Sequence, residues 1–138
     1  MSIAKKVLYT GKTRTTGGRQ GASRSSDGNL DIELSPIGSG GKGTNPEQLF
    51  AAGWSACFLG AIGKAAGAME LALPAGAAVD AEVDLCNTDG AFTLQARLNV
   101  SLPGVAPDAA RALLDMAHQT CPYSKMSRDN IAVEIKLV

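Results

Sequence analysis

From Asn45 onward the chain reads NPEQLFAAGWSACFLGAIGKAAGAME, and between Glu47 and Glu70 it carries a single charge, Lys64. This stretch constrains the fold more than any other. Asn45 suits a helix N-cap and Pro46 the first helical position, and Gln48 stands three residues past the cap, where it can complete a capping box. The helix so begun fades near Gly67–Met69, and Pro74 forbids its continuation. It is apolar on nearly every side, which predicts a helix enclosed all round rather than one lying on a surface. Its longest apolar run, Leu49 to Gly63, has 15 residues, short of the roughly 18 needed to span a bilayer.

The flanking segments alternate as strands do. Lys5–Tyr9 predicts a first strand, TGGRQG a turn, and Ala22–Ser25 a second strand, after which SSDGN has the Asp-Gly chemistry of a hairpin. Leu30, Ile32 and Leu34 alternate with Asp31, Glu33 and Ser35, a half-buried strand leading into the loop PIGSGGKGT. Past the helix, Val79, Ala81, Val83 and Leu85 share one face, then NTDG turns the chain. Phe92, Leu94, Ala96, Leu98, Val100 and Leu102 alternate on the returning strand, so the pair has one wet face. A second helix is expected over Pro107–Gln119, with Ala110, Leu113, Leu114 and Ala117 on one side, stopped by Cys121-Pro122. Ile131, Val133, Ile135 and Leu137 predict a closing strand. The order β-β-β-α-β-β-α-β, rich in hairpins, defines an α+β class with mainly antiparallel sheets. The 138 residues suit one domain, 1–138. A domain of this size has difficulty covering an all-apolar helix, so an obligate homodimer with that helix near the interface is expected.

Composition excludes several classes of function. Thirteen basic residues balance 13 acidic ones, which argues against nucleic acid and against an anionic membrane surface as partners. The N-terminal MSIAKKVLYTGKTRT lacks the apolar region of a signal peptide, so a cytoplasmic location is expected. Cys57, Cys86 and Cys121 form an odd set in a reducing compartment, leaving catalytic, metal-binding or merely buried thiols.

A cysteine in a buried helix is by default a small hydrophobe. For Cys57 to react it needs a thiolate, and a thiolate needs a nearby cation or hydrogen-bond donors. The helix offers none within a turn, since Lys64 lies two turns further on and is expected to point elsewhere. The candidate cation is Arg19, which the glycines of GGRQG allow to be aimed inward. Glu47 is either an ordinary first-turn acid or the partner that orients Arg19 in a bidentate pair. Ten residues of helix put Glu47 about 15 Å from Cys57, so at least part of an Arg19–Glu47–Cys57 set is expected to come from a second subunit. Cys121, in HQTCPYS, sits at a helix end before a proline, and His118 there can simply complement the helix C-terminus. Spacing alone does not show whether Cys57 and Cys121 meet. Cys86 falls in the polar phase of its strand and has no assigned role. GSGGKG at 38–43 matches G-x-G-x-x-G only formally, because no βαβ unit surrounds it. No CxxC or HxxxH spacing supports a metal site.

Taken together, VLYTGKTRTTGGRQG, SSDGNLDIELS, GGKGTNPEQLFAAGWSACF and AHQTCPYSKMSRDNI resemble the organic hydroperoxide resistance (Ohr) branch of the OsmC-like proteins over nearly the whole chain. The resemblance implies an intertwined α+β homodimer with active sites at its interface, acting as a thiol peroxidase on organic and lipid hydroperoxides. It implies Cys57 as the peroxidatic cysteine and Cys121 as the resolving one. It implies Arg19 and Glu47 as the pair that holds Cys57 as thiolate and helps bind the peroxide. It implies no bound cofactor, and recycling by an external lipoylated protein or dihydrolipoamide. Leu49, Phe50, Trp54 and Phe58 are expected to wall the alkyl-binding pocket. Two features depart from the family pattern: Trp54 stands where tyrosine is common, and SKMS replaces a run similar to SNAT after the second cysteine. The alternatives from other classes are a non-catalytic peroxide or fatty-acid sensor or carrier and a Cys/His zinc module.

Overall fold

A computed structural model describes residues 6–138. The chain divides into two compact units, Met1–Pro46 and Glu47–Val138.

The first unit is a three-stranded antiparallel sheet of β1 (Thr13–Thr16), β2 (Ala22–Ser25) and β3 (Asp31–Glu33), in that order. The first strand is therefore not where apolar alternation put it. Lys5 lies outside the described residues, and Lys6–Tyr9 are not in a strand. The ladder slot beside β2 is filled instead by TRTT, which pairs Thr16 with Ala22 and Thr13 with Ser25. The turn between them settles this choice. Gly17 and Gly18 adopt φ of 74° and 58°, and a side chain on Gly21 would run into the Thr16 carbonyl oxygen. Only glycine accepts such positions cheaply. β2 and β3 join through the expected Asp27-Gly28 hairpin, where the Asp27 carboxylate accepts hydrogen bonds from the Ser25 hydroxyl (2.6 Å) and the Asn29 backbone N–H (2.9 Å). Leu34, bridged to Thr44, is buried.

The second unit holds the long helix. α1 spans Pro46–Ala68, 23 residues. By length and composition it is long enough to cross a membrane, yet Trp54, Phe58, Ile62, Ala65 and Ala66 along one face are buried in the protein core. The all-round enclosure anticipated for α1 is not provided by the described residues: Gln48, Ala52, Ala56 and Gly60, four residues apart, form an exposed stripe. β4 (Ala78–Thr88) and β5 (Ala91–Ser101) form the expected hairpin. Its two-residue loop, Asp89-Gly90, has φ of 50° and 88°, the doubly positive turn whose twist matches paired strands. Val79 faces Val100, Ala81 faces Leu98 and Val83 faces Ala96, and from this layer Ala96, Leu98 and Val100 reach full burial. On the wet face Arg97 binds both oxygens of Asp84 at 2.9 Å. These bonds hold the Asp84 carboxyl at about 2, well below the usual carboxylate range. β6 (Ala132–Leu137) pairs parallel to β5, which is the central strand of the sheet.

α2 runs over Pro107–Thr120 and buries the four residues its periodicity names, Ala110, Leu113, Leu114 and Ala117. They meet α1 and β5 in one apolar core that also contains Cys121. A short helix absent from the sequence reading, α3 (Pro122–Ser127), follows at once.

Candidate dithiol site

The geometry of the site starts with a proline. The residue before a proline is pushed out of helical conformation, and Cys121 accordingly takes φ −63° and ψ 123°, while its N–H still bonds to Ala117 O at 2.8 Å. α2 thus ends at Cys121 and α3 starts there, with Lys125 N–H donating to Cys121 O at 2.9 Å. Arg128 reaches back from the end of α3 to donate to the carbonyl of His118 at 3.0 Å, satisfying an orphan acceptor in the last turn of α2. The corner carrying Cys121 is held from both sides.

α1 is fastened to this corner by aromatic residues. Trp54, fully buried, donates its indole N–H to the buried Ser124 hydroxyl at 3.1 Å. Phe50 stacks on Trp54 at 5.3 Å and on Tyr123 at 6.0 Å between ring centroids. Gly53 keeps α1 bare beneath the Tyr123 ring, where a β-carbon would lie 3.2 Å from the ring edge. One turn past Gly53 stands Cys57, and its sulfur shares a hydrogen bond with that of Cys121, Sγ to Sγ 2.9 Å. Both cysteines are free thiols, Cys121 buried and Cys57 half-buried.

The groups around Cys57 disfavour its ionised form. Burial pushes the Cys57 thiol up, and the neighbouring Cys121 thiol pushes in the same direction; the Tyr123 backbone N–H aimed at the sulfur pulls against both without overcoming them. A reactive thiolate here needs a cation. Arg19 lies in the first unit, on the 3-10 turn Gly18–Gln20, and Glu47 in the first turn of α1.

Cys57 opens on a groove of about 470 Å³. Ala61, Lys64, Ala65 and Ala68 continue its α1 wall, and Met116, Thr120 and Pro122 face them. Lys64 therefore does not point elsewhere. Seven residues fall about 20° short of two full turns at 3.6 residues per turn, so Lys64 shares the Cys57 face. The residues anticipated as pocket walls are placed differently: Trp54 and Phe58 are fully buried in the core, Phe50 belongs to the aromatic stack, and Leu49 is half-buried near the start of α1. Sequence reasoning missed Tyr123, Ser124 and Lys64. The first two were signalled by the proline after Cys121, the third by its spacing of seven.

Two free thiols at hydrogen-bonding distance, one facing a groove and the other buried behind it, stand close enough for a disulfide to join them within this α+β fold. The chain belongs to the OsmC/Ohr family. The family profile described as OsmC-like protein matches residues 39–136. A protein of Xanthomonas axonopodis pv. citri named organic hydroperoxide resistance protein is 44% identical over 141 residues, which cover 99% of each chain. The crystal structure of the organic hydroperoxide resistance protein OhrB of Bacillus subtilis superposes with a TM-score of 0.89 at 36% identity, covering 96% of this chain and 100% of that one. A Vibrio cholerae structure described as a putative organic hydroperoxide resistance protein, with captopril in one of its active sites, gives a TM-score of 0.90. Its identity is 35%, and the match covers 98% of this chain and 95% of that one.

Proposed function

We propose that this protein is a two-cysteine peroxidase that reduces organic hydroperoxides to alcohols. The observation that carries the reading is the 2.9 Å approach of Cys57 Sγ to Cys121 Sγ beside an apolar groove; the names of the relatives agree with it. Cys57 thiolate attacks the outer peroxide oxygen. An S–O bond forms, the O–O bond breaks, and the alkoxide leaves as an alcohol after taking a proton, so Cys57 becomes a sulfenic acid. The Cys121 sulfur then attacks Cys57 Sγ, forming the disulfide and expelling the hydroxide as water once protonated. Cys121 Sγ, 2.9 Å from Cys57 Sγ, stands close enough to form that bond with little movement of the backbone.

In this reading Arg19 holds Cys57 as thiolate and offsets the negative charge developing on the departing oxygen, while Glu47 orients the guanidinium. An external dithiol, a lipoylated protein or dihydrolipoamide, restores the pair through a mixed disulfide. The protein works as a homodimer in the cytoplasm. The exposed stripe of Ala52, Ala56 and Gly60 on α1 supports a close-packed partner helix, and the exposed Val7, Leu8 and Tyr9 support a second contact. A turnover assay pairing an organic hydroperoxide or hydrogen peroxide with dihydrolipoamide or thioredoxin tests the reading. Rapid catalysis is expected for the organic peroxide with the lipoyl dithiol. Stoichiometric ligand binding without turnover would make the protein a carrier instead.

A further inference from the structure

The groove beside the dithiol is apolar along its length and carries one cation. Ala61, Ala65 and Ala68 form its α1 wall and Met116 part of the wall opposite. Cys57 and Lys64 mark two points on that wall, about 10 Å apart along the helix axis, and the flexible lysine stem extends the reach of its ammonium beyond this. The volume, about 470 Å³, is within the range of small-molecule sites. Lys64 is exposed, and it enters none of the ion pairs formed among the described residues. A sulfur and an ammonium set apart along one apolar trough complement one kind of ligand: an alkyl body with its reactive group at one point and an anion about 10 Å or more from it.

We propose that Lys64 is a specificity-determining residue that favours hydroperoxides bearing a carboxylate remote from the peroxide. The carboxylate meets Lys64 Nζ, the alkyl segment lies along the alanine wall, and the peroxide reaches Cys57 Sγ. The inference rests on the peroxidase reading above. A neutral hydroperoxide uses the same trough but gains nothing from the lysine. Because the ammonium is exposed, the pair is weak and screened by salt. It holds the substrate equally before and during bond breaking, so its effect falls on KM and not on kcat.

Steady-state kinetics on the full chain, with a hydroperoxy fatty acid and its methyl ester as paired substrates, tests this. In Lys64→Ala the KM for the acid rises about five-fold while kcat and both ester constants are unchanged. Lys64→Arg keeps the preference for the acid, Lys64→Glu reverses it, and added salt erases it in the wild type. Equal effects on acid and ester, or no effect on either, overturn the proposal. If the wild type reduces neither compound, the peroxidase reading falls. Calorimetric binding of the corresponding hydroxy acid and its ester then decides Lys64 alone. An acid preference that vanishes in Lys64→Ala upholds anion selection, and equal binding of the two refutes it.

Discussion

Oxidation of the dithiol should stabilise the fold by an amount that can be worked out in advance. The two sulfurs stand 2.9 Å apart, and a disulfide bond length of about 2.05 Å requires an approach of less than about 1 Å, so closure asks little of the native backbone. The cysteines are 64 residues apart in the chain. Cross-linking a loop of that length removes unfolded-state entropy equivalent to about 4 kcal/mol, which for a chain of this size raises the melting temperature by about 10–15 °C. The assay is a calorimetric melt at fixed protomer concentration, because the proposed dimerisation would make Tm concentration-dependent. It compares reduced protein with protein treated with one equivalent of an organic hydroperoxide. Cys121→Ser treated in the same way should show no such rise. Oxidised and reduced wild type melting within about 2 °C of each other, or a rise that persists in Cys121→Ser, would refute the reasoning.

Two other perturbations follow from the electrostatics. Arg19→Ala should slow the first oxidation step at pH 7 by at least about thirty-fold, because an unassisted cysteine is only a few per cent thiolate there and burial pushes Cys57 higher still. Its alkylation rate should then climb steeply with alkaline pH while the wild type is flat; matching profiles would remove Arg19 from the mechanism. His118 is held below its ordinary range, mainly by burial and then by the Arg128 charge, and its buried Nδ1 has no hydrogen-bond partner among the described residues. A depressed folded value means that the contribution of neutral His118 is present above about pH 6.5 and lost as pH falls below it. His118→Gln should therefore melt with a weaker dependence on acidification than the wild type, and an unchanged slope would show that other groups govern acid stability.

Much of this was legible in the sequence because the signals were local. Pro46, Pro107 and the i, i+3, i+4, i+7 pattern of Ala110, Leu113, Leu114 and Ala117 mark the helices, and Asp89-Gly90 marks the hairpin. β1 was missed because TRTT has no apolar alternation; its place comes from the turn at Gly17–Gly21 and from pairing with β2, not from its own pattern. α3 was missed because six residues opened by a proline carry too little periodicity to be seen. The meeting of Cys57 with Cys121 depends on the packing of α1 against that corner, through the Trp54–Ser124 bond and the Phe50–Tyr123 stack, contacts between residues some seventy positions apart. Lys64 was readable from its spacing, since a separation of seven on a helix means a shared face.

The central claim, that Cys57 takes the oxygen and Cys121 resolves it, is tested most directly by the intact mass of the protein after one equivalent of an organic hydroperoxide. The account predicts that the wild type loses two hydrogen atoms with Cys57 linked to Cys121, that Cys121→Ser gains one oxygen on Cys57, and that Cys57→Ser is unchanged. A Cys57→Ser protein that consumes the peroxide as fast as the wild type, or a disulfide that includes Cys86 in place of either partner, would contradict it.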